Sequence, residues 1–317
     1  MSVVVCAYTL DRWPDIVAAL RSVAAQSVPI AQIVLVCDHN AELAARARAE
    51  LVGTVPGLVV LDNDGPRGLS GARNTGVAAA QGDVVAFLDD DAAAEPDWAQ
   101  WLLDGYEDAS VVGVSGRVVP EWRGQRPGWL PEEFLWVVGC SYRGQPDGRS
   151  DVRNGIGASM SFRREVLAQI DGFDPSVGRI GKDAGGCEET ELSIRARRAR
   201  DGGRIVLEPR SVARHAVTPD RVRLRYFFRR CAAEGRSKAV VSSLVGSSDA
   251  LAAERAYTRR VLPAGAWRGI LDLLRGDPTG LGRAVMIVLG LLVTAAGYAS
   301  MRAQLRSRPP ARRPAGP

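Results

Sequence analysis

The chain has 317 residues, 46% apolar and 24% charged, which allows about two structural units with a substantial core and excludes reading the chain as a disulfide scaffold or as a disordered tail throughout. The net charge of +5 rests on arginine, Lys182 and Lys238 being the only lysines, and suits phosphate-bearing ligands or an anionic membrane face without choosing between them. His39 and His215 are the only histidines, too few for a multi-histidine metal cage, and five scattered cysteines without a CxxC pair read as reduced thiols in a cytosolic setting.

Met1-Ser2 leads directly into the apolar run 3–6, which reads as a buried strand and not as a signal peptide, because no basic leader is present. Pro14 sits where a helix begins, and Ile16, Val17, Leu20, Val23 and Ala24 follow with helical spacing. Further strands are expected at 33–36, 58–61 and 84–88, with helices at 41–51 and 72–80 and a loop at 62–71 between the last pair. This alternation predicts an open, mostly parallel α/β sheet, whose ligands bind at the carboxyl ends of strands. Asp38 follows the second strand directly, and Asp89-Asp90-Asp91 follow the fourth.

From about residue 105 the rhythm changes, and the segment to 215 reads as a second half of one globular unit. Strands are expected at 111–114, 117–119 and 205–207, helices at 163–170 and 188–200, and a Gly/Pro/Trp-rich loop at 120–150. Residues 221–241 predict an arginine-rich helix carrying Tyr226, Phe227 and Phe228. No charge occurs over 284–301, between Arg283 and Arg302. As a helix that stretch reaches roughly 27 Å, enough for the hydrocarbon core of a bilayer. Both flanks are basic, so spanning, re-entry and an interfacial position all stay open, beside burial in the globular fold. The tail beyond, with five arginines and four prolines, is expected to be unstructured and cationic.

Three adjacent carboxylates repel one another unless a cation neutralises them, and hard oxygen ligands select Mg²⁺ or Mn²⁺. Strand pleating would point Asp89 and Asp91 to one side and Asp90 to the other. The alternative is a solvated loop or helix cap ahead of Glu95-Pro96-Asp97. Gly185-Gly186-Cys187-Glu188-Glu189 opens a helix, where a carboxylate either compensates the helix dipole or acts as a general base. His215 follows a strand and is either structural or a metal ligand, and His39 reads as a surface residue. Arg73 opens a helix after a glycine-rich loop, a position suited to phosphate, or is an ordinary exposed arginine. No dinucleotide fingerprint, P-loop, nucleophile elbow or HExxH motif is present in the sequence.

Taken in order, these features resemble a family 2 glycosyltransferase with the GT-A fold, an α/β open mixed sheet flanked by helices, here with a C-terminal membrane-associated helical extension. The resemblance covers residues 2 to about 240. SVVVCAYTLDR looks like the family's opening strand and nucleotide-side loop, which implies donor contacts at Cys6 and Tyr8, the tyrosine near the uracil. Cys37-Asp38 stands where the family usually has two aspartates, so Asp38 alone is carried over as a base or ribose contact. GLSGARNTGVAAAQGDVVAFLDDD is the most specific stretch and implies Arg73 near the diphosphate, Asp89 and Asp91 on the metal and Asp90 on the donor. GIGASMSFRREVLAQIDGFD resembles the acceptor-side segment, and the family's G-E-D-x-x-L corresponds to Cys187-Glu188-Glu189-Thr190-Glu191-Leu192. Glu189 is then the implied catalytic base, with Glu188 the other candidate, and His215 joins the metal or diphosphate site.

The implied activity is a metal-dependent inverting transfer from a nucleoside-diphosphate sugar, with UDP the expected nucleotide, to a lipid-linked or cell-envelope glycan acceptor at the cytoplasmic side of the cell membrane. Mg²⁺ or Mn²⁺ is the implied cofactor and no nucleic acid is expected as a partner. The rivals are a catalytically weak, membrane-associated sugar-nucleotide-binding subunit and, further off, a sugar nucleotidyltransferase. The implied division runs 1–104 for the donor half, 105–215 for the acceptor half, 216–260 for the arginine-rich helix and 261–317 for the membrane-associated segment and tail.

Overall fold

The computed structural model describes residues 1–179, 185–246 and 251–307. Its first part is built from strands β1 (Ser2–Ala7), β2 (Gln32–Cys37), β3 (Leu58–Asp62) and β4 (Val84–Asp89), parallel neighbours in the order β3-β2-β1-β4. Helices α1 (Trp13–Ala24), α2 (Ala41–Glu50) and α3 (Leu69–Ala79) link them. The strands read as unbroken apolar runs because both faces are covered. Val3, Val5, Ile33 and Leu35 pack with Ile16, Leu20 and Leu43 on one face, while Val4, Val34 and Val36 pack with Ala72, Phe87 and Phe173 on the other. Each fully buried Val, Leu, Ile or Phe in these layers contributes about 1.5–3 kcal/mol.

α3 starts three residues ahead of the expected 72, at Leu69, because Gly68 at its N-cap adopts a φ of 118°, which turns the chain abruptly into the helix. The parallel pattern also stops at β4. Beyond β5 (Ala92–Ala94), α4 (Trp98–Asp104), β6 (Val111–Trp122) and β7 (Ser150–Val152), the chain enters β8 (Ser159–Arg163) antiparallel to both β4 and β6. After α5 (Arg164–Gln169) and α6 (Glu188–Ala199), β9 (Arg204–Val217) lies parallel to β6 and antiparallel to β5 and β7. The result is one mixed nine-stranded sheet, not a mostly parallel one. Antiparallel neighbours need no crossover helix, which is why the helix spacing lapses in this half.

The expected 120–150 loop contains a 3₁₀ segment at Glu132–Val138, whose Phe134, Leu135 and Val138 enter a third core. That core joins α7 (Leu224–Val245) to the C-terminal helices α8 (Ala252–Ala256), α9 (Leu262–Leu274) and α10 (Thr279–Ser307), with a π-helical turn at Tyr257–Val261 between α8 and α9. Phe227 stands 5.4 Å from Phe134 and 5.7 Å from Trp129, ring centroid to centroid. α10 is long and apolar enough to cross a membrane. The expected cationic tail lies, from residue 308 onward, outside the described residues.

Candidate active site

The carboxyl ends of β1, β2 and β4 form the floor of the site. Parallel register sets Cys6 beside Asp89, and Asp38 leaves β2 one residue past Cys37. His215 is brought in from far along the chain, because β5 pairs with β9 in a register that opposes Ala92 and His215. The backbone N–H of Ala216 donates to the Asp91 carbonyl at 2.8 Å, which locks that edge.

These strand ends line a cleft bordered by Cys6, Tyr8, Asp38, Asp89, Asp90, Asp91 and His215 together with Arg12, Arg179 and Arg221. One ligand atom each from Asp89, Asp91 and His215 lies within 4.8 Å of the other two. Two carboxylates and one imidazole converging in this way are a donor set suited to Mn²⁺ or Mg²⁺, so the residues present fit a divalent cation. Asp90 also faces the cleft, contrary to simple strand alternation, because β4 ends at Asp89 and the chain turns there.

The acidic triplet is held by cations of the protein. Arg12 approaches Asp90 at 2.8 Å and Asp91 at 3.2 Å, Arg221 donates to Asp91 at 2.6 Å, and His215 Nε2 is 3.1 Å from Asp91. Burial alone would push the Asp91 carboxyl up, but His215 and Arg221 hold it well below the usual range. Burial likewise disfavours a charged His215, yet Asp91 raises its imidazole to about 10. Asp90 is lifted to about 7 by burial and by the charge of Asp91, and its Oδ2 is buried without a hydrogen-bond partner.

The remaining candidates divide between wall and support. Tyr8 borders the cleft with the Arg12 guanidinium 5.6 Å from its ring centroid. Asp38 accepts from Asn63 Nδ2 at 2.7 Å and from the Gly68 N–H at 3.0 Å, so it also ties down the loop before α3. Cys6 has its thiol pushed up by burial, and Cys37 is buried. Arg73, expected at the diphosphate, does not border the cleft. It is 2% exposed and donates to Glu188 at 2.9 Å, to Asp89 at 3.3 Å and to the Gly157 carbonyl at 3.1 Å. The cleft's arginines are Arg12, Arg179 and Arg221, none of them in a recognisable motif. Their only sequence signal is position: Arg12 ends the loop that carries Tyr8, and Arg221 lies six residues past His215.

Glu188 and Glu189 open α6 and do not border this cleft, but one guanidinium, that of Arg73, joins Glu188 to Asp89. Glu189 accepts from Thr190 Oγ1 at 3.0 Å, and burial with the nearby charges of Glu188 and Glu234 lifts its carboxyl to about 7. α7 anchors the turn before these residues. Ser237 Oγ accepts from the Gly186 N–H at 3.2 Å, Cys187 Sγ donates to Glu234 at 3.4 Å, and Lys238 bridges Glu234 and Glu254 at 2.9 and 2.7 Å. A larger hollow of about 320 Å³ lies between the 126–133 segment and α9–α10, where Arg143, Arg268 and Arg283 are matched by Glu132, Glu133 and Asp272.

The family described as Glycosyl transferase family 2 matches over residues 2–171. The Glucosyl-dolichyl phosphate glucuronosyltransferase of Haloferax volcanii is 36% identical over 245 residues, 77% of this chain and 78% of its own length. The Succinoglycan biosynthesis protein ExoM of Rhizobium meliloti is 29% identical over 231 residues, 71% and 70% of the two chains. Among solved structures, the mannosyltransferase PcManGT from Pyrobaculum calidifontis, determined with GDP-Man and Mn²⁺, aligns with a TM-score of 0.57 at 19% identity over 92% of this chain and 86% of that one. GalNAc-T7, determined with UDP, GalNAc and Mn²⁺, aligns with a TM-score of 0.51 at 16% identity over 88% and 58%. These two likenesses concern the fold.

Proposed function

The chain belongs to glycosyl transferase family 2, and from that premise we propose that it transfers a sugar with inversion from a nucleoside-diphosphate sugar, UDP-linked, to a polyprenyl-phosphate-linked or cell-envelope glycan. The observation that carries this reading is the convergence of Asp89, Asp91 and His215 within 4.8 Å in a cleft lined by arginines. Such a cleft suits a diphosphate, which brings negative charge of its own and needs cations on both sides.

In this mechanism Tyr8 stacks on the base and Asp38 and Asp90, which border the cleft, accept from the nucleoside. Asp89, Asp91 and His215 would hold Mn²⁺ or Mg²⁺, and the ion when bound neutralises charge developing on the departing diphosphate. Arg12, Arg179 and Arg221 bind the phosphate oxygens as that charge grows. Arg73 keeps α6 in register with Asp89 through Glu188, and Glu189 takes the proton of the attacking acceptor hydroxyl. Residues 1–104 serve the donor and 105–215 the acceptor. The Haloferax volcanii relative, by its name, uses a glucosyl-dolichyl phosphate, which supports a lipid-phosphate-linked acceptor and puts a uronic-acid donor first in any screen. The apolar α10 supports attachment to the membrane, and we place the catalytic domain on the cytoplasmic face.

The test is a panel of nucleotide sugars assayed for hydrolysis and for transfer to a polyprenyl-phosphate glucoside, with and without Mn²⁺. One donor is expected to be consumed only with the cation, to yield a product of inverted anomeric configuration, and to be left intact by Asp91→Ala. Consumption of no donor with any cation, or a retained configuration, would overturn the reading.

A further inference from the structure

α10 is apolar enough to cross a bilayer, but it is not free to do so alone. It is clamped along α7 at backbone distance: a Cβ on Gly235 would stand 2.0 Å from the Thr294 carbonyl oxygen, and one on Gly297 would stand 2.3 Å from that of Ala232. Phe227 lies against Gly290 as well, so the two helices run side by side, in the same direction, from about 227 to 235 on one and 290 to 298 on the other. α9 covers another side of α10 in antiparallel fashion, with Gly269 against Gly280 and Gly265 against Ile287.

α7 is no transmembrane helix. It carries Arg225, Arg229, Arg230, Glu234, Arg236 and Lys238, and its Glu234 and Ser237 grip the turn before Glu188. Threading α10 across the hydrocarbon would carry this charged helix to the same depth, at about 2.5–3.5 kcal/mol for each charge near the bilayer centre. The exposed side of α10 is nevertheless strongly apolar. Of thirteen large hydrophobic side chains exposed among the described residues, nine lie on α9 and α10. They follow helical stripes: Leu281, Val288 and Leu292 on α10, and Trp267 and Leu274 on α9, the last 75% exposed.

Charge identifies what covers this face. Residues 257–307 contain seven arginines and only two acids, Asp272 and Asp277, both paired with Arg283 at 2.8 and 2.7 Å. Arg268 and Arg283 are taken up by Glu133, Asp272 and Asp277, but Arg259, Arg260 and Arg275 are exposed on the same segment, and an apolar face with net positive charge matches an anionic bilayer, where each basic residue adds about 1 kcal/mol.

We propose that α9 and α10 form a monotopic membrane-docking surface: α10 lies in the plane of an anionic leaflet with its exposed stripe in the acyl boundary, and both its ends stay on the side of the catalytic domain. This position does not depend on the identity of the sugar donor or acceptor. The experiment uses the full chain with an epitope after Pro317, in sealed vesicles that expose the catalytic domain. Protease added outside is expected to remove the epitope and the catalytic domain alike, and an epitope protected inside would overturn the proposal. The same chain carrying Leu274→Glu and Leu292→Glu is floated with phosphatidylcholine vesicles, with and without phosphatidylglycerol. Binding to the anionic vesicles is expected to fall by roughly tenfold or more, while UDP binding, read by calorimetry, stays unchanged and reports an intact fold. Undiminished flotation of that variant, or flotation indifferent to phosphatidylglycerol, would overturn it.

Discussion

Glu188 and Glu189 are chemically alike and adjacent, yet their surroundings separate them. Glu188 is buried against Arg73, whereas Glu189 has no cation partner in the contacts described above and is lifted to about 7 by burial, Glu188 and Glu234. A carboxylate poised near neutrality is a better proton acceptor than one fixed in an ion pair, which favours Glu189 as the base. Transfer by the native chain is therefore expected to rise with pH through about 7 and level off above it. Glu189→Gln should lower kcat by about 10²–10⁴-fold with donor affinity nearly intact. The sign of the stability effect follows from linkage. A carboxyl whose folded pKa is raised favours the fold while protonated, and that advantage disappears as pH climbs from the ordinary carboxylate range through about 7. Above that range Glu189→Gln should melt higher than the native chain, by a difference on the order of 1 kcal/mol, and the two should converge in acid. Melting curves across pH check this, and full turnover by the variant would remove Glu189 from the base role.

At the scale of elements, Arg73 holds three of them together: it sits on α3 and reaches Asp89 at the end of β4 and Glu188 at the start of α6. Arg73→Met should destabilise the fold by about 3–5 kcal/mol, because two carboxylates lose their shared buried partner. Glu188→Gln added to Arg73→Met should recover part of that loss in urea unfolding, and strict additivity would contradict the linkage. The alternation of β1 to β4 with α1 to α3 was legible in the sequence because strands covered on both faces leave continuous apolar runs. β5 was not, since Ala92–Ala94 is three residues of weak strand propensity held by its pairing with β9. β9 runs past its expected end because exposed Arg210 and Arg214 interrupt the apolar run while Ser211, Ala213 and His215 stay buried, so the pattern breaks without the strand ending. The acidic triplet and the two glutamates were legible as ordered motifs. Arg12, Arg179 and Arg221 were not, because single arginines in loops carry no pattern until the sheet draws them to one cleft.

At the scale of the whole molecule, one sheet joins the strands that end in the acidic triplet to β9, which carries His215, and the third core joins β6 and the 3₁₀ segment to α7 and α10. α7 touches both the turn before Glu188 and the backbone of α10, so the helix that carries the candidate base and the apolar C-terminal face share one support. The proposed chemistry depends on the cleft being a cation-dependent diphosphate site. Calorimetric titration of UDP, with and without Mn²⁺, into the native chain and into Asp91→Asn tests it most directly. Mn²⁺ should strengthen UDP binding to the native chain by roughly tenfold or more, about 1.4 kcal/mol, and leave the variant unaffected. An equal gain from Mn²⁺ in both proteins would contradict it.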